Sequence, residues 1–184
     1  SESESYCGQL LRQKRGFPLY VPGPQRNLPD VYRHTGVAIG DVGRVTSDGI
    51  FDFFFNVYLP ADHPVNANNV PEDFSPLAPY IGRDVVHIDF EPGNYVSSPS
   101  VQKLELGSPS EYFMFNCDTP HGAVLALPHG AHVQKLENLG NLRQYASKNA
   151  ESWYRHVNGA RGRGLANGSL YLVTGCEKSR SWGI

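Results

Sequence analysis

Three histidines and an aspartate in one short stretch of the chain could together bind a metal ion. His121, His129 and His132 lie close together, and Asp118 precedes them. Imidazole and carboxylate groups are common ligands of zinc and related metals, but the ligands must converge in space. Prolines and glycines interrupt this stretch, so the sequence does not define its geometry. The alternative is that His129 and His132 flank a turn as exposed polar residues; on that interpretation we predict no metal site and no cofactor.

A second candidate is the neighbouring pair Asp62 and His63. An aspartate and a histidine can perform general acid–base chemistry where a cleft lies beneath them. The following Pro64 makes the same residues typical of a turn, which is the simpler interpretation. For an enzyme of the hydrolase or ribonuclease type, the catalytic candidates are Asp62, His63, His121 and His132.

Three residues in the last quarter of the chain are binding candidates. Arg161 and Arg163 alternate with glycines and could contact phosphate, although a solvated loop is the alternative. Trp182 could form a stacking surface for a sugar or a base.

Cys117 and Cys176 end apolar runs, where cysteine is usually a small buried hydrophobic residue. The chain has no nucleophile elbow, P-loop, zinc-protease motif or dinucleotide fingerprint.

Composition excludes some classes of protein. A formal charge of −2 and a pI near 6.4 provide no overall attraction to nucleic acid or an anionic membrane. The three cysteines are widely spaced without a CxxC pair, so neither a disulfide framework nor a cysteine zinc site is indicated. The acidic N-terminus is unlike a signal peptide, and no apolar stretch is long enough to span a bilayer. We therefore expect a cytoplasmic protein.

The elements that would position these residues are mostly strands. Residues 36–45 and 50–58 predict a hairpin joined by the turn 46–49 (TSDG). In its second strand Phe51, Phe53 and Phe55 alternate with more polar positions, which predicts one apolar face. Further predicted strands cover 84–90, 111–117, 123–127 and 169–175.

One amphipathic helix is predicted near residues 141–157, with Asn141 as N-cap and Asn158–Gly159 as its stop. Residues 1–15 are expected to be flexible or frayed, with one or two helical turns if they dock. The predicted fold class is α+β, an antiparallel β-rich single domain over residues 16–184. The long proline-rich loop at 59–81 is either packed in place or functional.

Two parts of the chain carry a resemblance to known sequences. Residues 16–22 (GFPLYVP), 36–43 (GVAIGDVG) and 48–53 (DGIFDF) resemble an uncharacterised protein family of mushroom-forming fungi, the Basidiomycota. In the C-terminal part, residues 167–176 (NGSLYLVTGC) and 181–183 (SWG) resemble the same family. The resemblance implies no established activity. Chains of this family usually continue beyond the SWG segment, so we expect a fragment or the N-terminal module of a longer protein.

These observations lead to three hypotheses about function. The leading one is a non-catalytic recognition or effector domain, with a protein partner bound at an exposed strand edge near Ser169. The second is a hydrolase or ribonuclease-like toxin, and the third is a glycan- or membrane-binding defence protein. A deep pocket with a histidine facing a carboxylate would favour the enzyme, whereas scattered exposed histidines would favour the binding module.

Overall fold

A computed structural model describes residues 1–105 and 113–184 of the chain. Within these residues the helices are α1 (Glu2–Leu11), α2 (Asp30–Thr35) and α3 (Gly140–Asn158), with a 3₁₀ turn at Gly82–Asp84. The strands are β1 (Asp41–Val45), β2 (Phe51–Asn56), β3 (Val85–Phe90), β4 (Asn94–Ser97), β5 (Val101–Lys103), β6 (Phe115–Cys117), β7 (Val124–Leu127), β8 (Ala131–Leu136), β9 (Tyr171–Leu172) and β10 (Gly175–Lys178). The predicted α+β class, with antiparallel strands and one main helix, is confirmed.

The strands form several small antiparallel sheets. Two sheets have three strands, in the orders β2–β1–β9 and β10–β8–β3, while β4–β7 and β5–β6 are two-stranded. Only Val173 and Thr174 separate β9 from β10, so the chain passes directly from one three-stranded sheet to the other. The carbonyl of Val173 accepts from the amide of Gly40, and that of Thr174 from the amide of Leu136. These bonds tie the crossing point to both sheets.

The predicted hairpin forms, and its second strand contains a β-bulge. The β1–β2 register shifts between Val42 and Gly43. These two residues pair with Phe55 and Phe53, which leaves Phe54 as the extra residue of the bulge. Phe54 and Phe55 both pack into the core cluster beneath α3, whereas Phe53 packs on the other side against α2. The strand is therefore buried on both faces, whereas the alternation of its residues predicted a single apolar face.

The main helix agrees with its prediction in extent and in its stop at Asn158–Gly159, but not in its N-cap. The predicted span 141–157 becomes Gly140–Asn158, and Trp153 and Val157 are buried against the core. No side chain caps the start, where Leu139 and not Asn141 precedes the first turn. At the other end, the side chain of Asn158 bonds both backbone groups of Leu165, which ties the following loop to the helix.

The N-terminal segment, which the sequence predicts to be frayed, forms the docked helix α1. Ser1 and Glu4 make a reciprocal capping box at its start. Tyr6 and Leu10 are buried in a cluster with Val96 and Ala123. Sequence periodicity in ten residues is too weak to reveal this, because the apolar partners lie far along the chain.

Several strands differ from their predictions. β4, β5, β8 and β10 were not predicted, and the expected strand 169–175 shortens to β9. Of the predicted strand 111–117, only β6 is seen; residues 111 and 112 lie outside the described residues. The pairing partners of these strands are distant in sequence, so local patterns carry little signal for them.

Candidate functional site on the β10–β8–β3 sheet

Asp62 and His63 lie in a turn of the loop after β2, and the structure shows local contacts for them. The Nδ1 atom of His63 accepts a hydrogen bond from the amide of Val65 at 3.1 Å, and Asp62 is exposed. No hydrogen bond or ion pair joins His63 to a carboxylate among the described residues. The geometry here is that of a turn.

The three clustered histidines do not converge. His121 is exposed in a shallow depression that Ser98 also lines. The Nδ1 atom of His129 lies 2.7 Å from the hydroxyl of Ser181. His132 points from β8 toward β3 instead. In the part of the chain that the structure describes, no group of three or more His, Cys, Asp or Glu side chains is placed to hold a metal ion.

Arg161 and Arg163 are packed against the core and are not a solvated loop. Both guanidinium groups lie over the ring of Phe54, at 5.6 and 5.7 Å from its centre. The Nε atom of Arg163 is 2.9 Å from a carboxylate oxygen of Asp52, and Nε of Arg44 is 3.0 Å from the same oxygen. Because Asp52 is buried, the two arginines compensate a charge that would otherwise be costly.

The other candidates are separate from one another. Trp182 is 47% exposed, and the neighbouring Gly183 pairs with β7. The thiol of Cys117 is exposed, and a backbone hydrogen bond with Thr119 lowers its pKa. Burial raises the pKa of Cys176, a half-buried residue of β10. These residues share no site with the histidines discussed above.

A buried polar network that the sequence did not reveal surrounds Asp41. Its carboxylate accepts from the Tyr32 hydroxyl at 2.9 Å, the Ala38 amide at 2.8 Å and the Asn56 side chain at 2.8 Å. Asn56 also accepts from and donates to the surrounding backbone. Among the described residues no cation is hydrogen-bonded to this carboxylate. Burial raises the pKa of Asp41 to about 6, although its hydrogen bonds and the charge of Lys178 act in the opposite direction. The network positions α2 and the start of β1.

Of the predicted histidines, His132 is the one that the structure pairs with a carboxylate. The Nδ1 atom of His132 lies 2.5 Å from a carboxylate oxygen of Asp89. Its Nε2 atom lies 3.1 Å from Nδ1 of His87. His87 and Asp89 are two apart on β3, so both face the same side of the sheet. Antiparallel pairing of β3 with β8 sets Asp89 directly opposite His132.

The hydrogen bonds of this cluster form a chain from His87 through His132 to Asp89, as in a proton relay. An ionised carboxylate only accepts, so Nδ1 of His132 carries a proton, and in the neutral ring Nε2 is an acceptor. His87 then donates its Nδ1 proton to His132. A carboxylate that orients a histidine is the arrangement of a general base, but here the basic nitrogen of His132 already contacts His87. The side chains lie on the open surface of a sheet.

The face of the sheet that carries His87, Asp89 and His132 is covered by other described parts of the chain at the β10 side only. The β10–β8 register aligns His132 with Lys178 and Gln134 with Cys176. The ammonium group of Lys178 donates to the carbonyl of Thr35 at the end of α2, at 2.5 Å. The sheet is therefore anchored to the core through β10, whereas its β3 side faces solvent.

The opposite face and the outer edge of β3 are exposed. Val86 and Ile88 are 38% and 45% exposed, and no residue of β3 is buried. The amide of Glu137 donates to the carbonyl of Asp84, so this pair and every second pair after it bond β3 to β8. The backbone groups between them point away from β8. The amide of Val85 donates to the carbonyl of Gly82. No described residue bonds to the carbonyl of Val85 or to the amides and carbonyls of His87 and Asp89.

One signal for this site was present in the sequence. The predicted strand 84–90 places His87 and Asp89 on one face, which is an unusual pair for a buried strand. Their partner His132 was not connected to them because β8 was not predicted. Polar residues at alternate positions of a predicted strand therefore indicated two of the three residues of the cluster.

Comparisons with protein-family models, with curated proteins and with solved structures gave no match. In the described residues, no helix has the length and apolar character needed to cross a membrane.

Proposed function

We propose that this domain is a protein-recognition module that binds an extended segment of a partner along the outer edge of β3. The observation that carries the proposal is the row of outward backbone groups formed by the carbonyl of Val85 and the amides and carbonyls of His87 and Asp89, to which no described residue bonds. A strand added beside β3 would satisfy them by continuing the antiparallel or parallel ladder.

The side chains of β3 indicate the chemistry of the partner. On one face, an added strand would lie beside Val86 and Ile88, where apolar and β-branched residues gain the most from cross-strand contact. On the other face it would lie beside His87 and Asp89, where polar residues remain hydrated. The expected partner segment therefore alternates apolar and polar residues and lacks proline at the positions that bond to β3.

The edge near Ser169, which the sequence suggested for a partner, is less suited to this role. β9 has only two residues, and β10 is anchored to α2 through Lys178. We therefore assign partner binding to β3, which is longer and more exposed.

Peptide selection against the whole chain tests the proposal. Binders from a random-sequence display library should alternate apolar and polar residues, and hydrogen exchange of the complex should show new protection of the His87 and Asp89 amides. The Val86 and Ile88 amides, already bonded to β8, should change little.

Two substitutions at one position provide a matched control. His87→Pro removes an outward amide without removing a bond to β8, and should weaken peptide binding about tenfold, the value of one lost hydrogen bond. His87→Ala keeps the amide and should bind as the unmodified chain does. Selected peptides that map elsewhere, or a dimer of this chain joined through β3, would contradict the proposal.

A further inference from the structure

Two histidine side chains on β3 and β8 bring ring nitrogens close enough to bind one metal ion between them. Two ring nitrogens, Nδ1 of His87 and Nε2 of His132, face each other at 3.1 Å on an exposed surface. Histidine nitrogens bind zinc at about 2.0–2.1 Å. If both nitrogens bound the same zinc ion while 3.1 Å apart, the N–Zn–N angle would be roughly 100°. That angle suits tetrahedral or octahedral coordination.

Asp89 supplies the second feature of a metal site. It accepts from Nδ1 of His132, which leaves the lone pair of Nε2 directed toward His87. A carboxylate behind a ligating histidine fixes the tautomer and raises the basicity of the ligand. Asp89 would thus be a positioning residue and would not touch the metal.

We propose that His87 and His132 together bind a divalent transition-metal ion such as Zn²⁺, with solvent completing the coordination. The metal would take the place of the shared proton. His87 would change tautomer, its proton moving from Nδ1 to Nε2, so that both facing nitrogens offer lone pairs and no proton is lost from the pair. The proposal is independent of partner binding at the β3 edge.

Titration of the full chain with Zn²⁺, in competition with a metal-sensitive dye whose signal reports free metal, tests this site. The ring resonances of His87 and His132 should shift together in NMR spectra at one equivalent of metal. His87→Ala and His132→Ala should each reduce the affinity at least tenfold, because one of only two protein ligands is lost. Asp89→Asn should weaken binding about 10- to 100-fold, the range for residues that support a ligand.

His129→Ala is the matched control, because His129 bonds to Ser181 and lies outside the cluster. It should leave the Zn²⁺ affinity unchanged. Equal affinity in the unmodified chain and in both cluster variants would overturn the proposal, as would the absence of a joint resonance shift at millimolar Zn²⁺. Peptide binding measured with a chelator present separates this result from a failure of the proposed recognition function.

Discussion

At the scale of single residues, two buried aspartates are stabilised in different ways. Asp52 is paired with Arg44 and Arg163, so its charge is balanced within the fold. The hydrogen-bond donors to Asp41 are neutral, and burial outweighs both these bonds and the charge of Lys178, which raises the pKa of Asp41. The first carboxylate supports the fold as an ion, while the second carries a cost when ionised.

The charge state of Asp41 should therefore make stability depend on pH. Its folded pKa of about 6 exceeds the ordinary value of 3.8, so the folded protein binds the proton more tightly than the unfolded chain. The contribution of Asp41 is fully present below about pH 4 and is lost as pH rises to 6, by about 3 kcal/mol for two pKa units. Urea unfolding from pH 4 to 7.5, compared with Asp41→Asn, measures it.

Asp41→Asn lacks this ionisation, so the free energy of unfolding of the unmodified protein should fall relative to that of the variant by about 3 kcal/mol as pH rises from 4 to 7.5. Parallel profiles across the whole range would show that Asp41 ionises normally in the folded protein.

At the scale of elements, packing partners distant in sequence decide which short segments fold. α1 is held by its own capping box and by the burial of Tyr6 and Leu10 against strands near the middle of the chain. β8 lies between β3 and β10 and could not be recognised from its own residues alone. A helix as short as α1 is only marginally stable without tertiary contacts, so its own sequence does not show whether it folds.

Substitutions in α1 test whether it is docked. Gly8 is exposed in the helix, and an added Cβ meets no atom within 4 Å. Gly8→Ala should raise the free energy of unfolding by about 0.5–1 kcal/mol, because glycine loses more entropy in a helix. Leu10→Ala should lower it by about 2 kcal/mol or more through loss of buried contacts. Thermal or chemical unfolding that shows neither effect would indicate a frayed segment.

At the scale of the whole molecule, the two three-stranded sheets differ in how they are supported. The β2–β1–β9 sheet is packed under α3 on one side and α2 on the other. The β10–β8–β3 sheet exposes its last strand on both faces. Segments with few buried contacts open at lower free energy than the core, so β3 should detach without global unfolding.

Native-state hydrogen exchange should reveal this difference. The amides of Asn56 and Val57, bonded and buried beside β1, should exchange slowest. The amides of Val86 and Ile88 should exchange at least tenfold faster, a difference of about 1.4 kcal/mol in opening free energy. Equal rates at all four amides would mean that β3 opens only when the molecule unfolds.

Local sequence patterns were sufficient for the features that depend on near neighbours. The Asp48–Gly49 turn, the apolar strand β2 and the helix α3 follow from turn chemistry and periodicity within short windows. The fold class followed from the same signals. The resemblance to a fungal family stays a prediction.

Tertiary structure alone decided the candidate site. His132 was visible as a residue, but its neighbours Asp89 and His87 come from a strand some 45 positions earlier. Likewise, Arg161 and Arg163 could be placed on the core only once Asp52 and Phe54 were known to lie beneath them. Pairing register and side-chain convergence are long-range properties, because they depend on which strands meet, and no single segment of the chain encodes that choice.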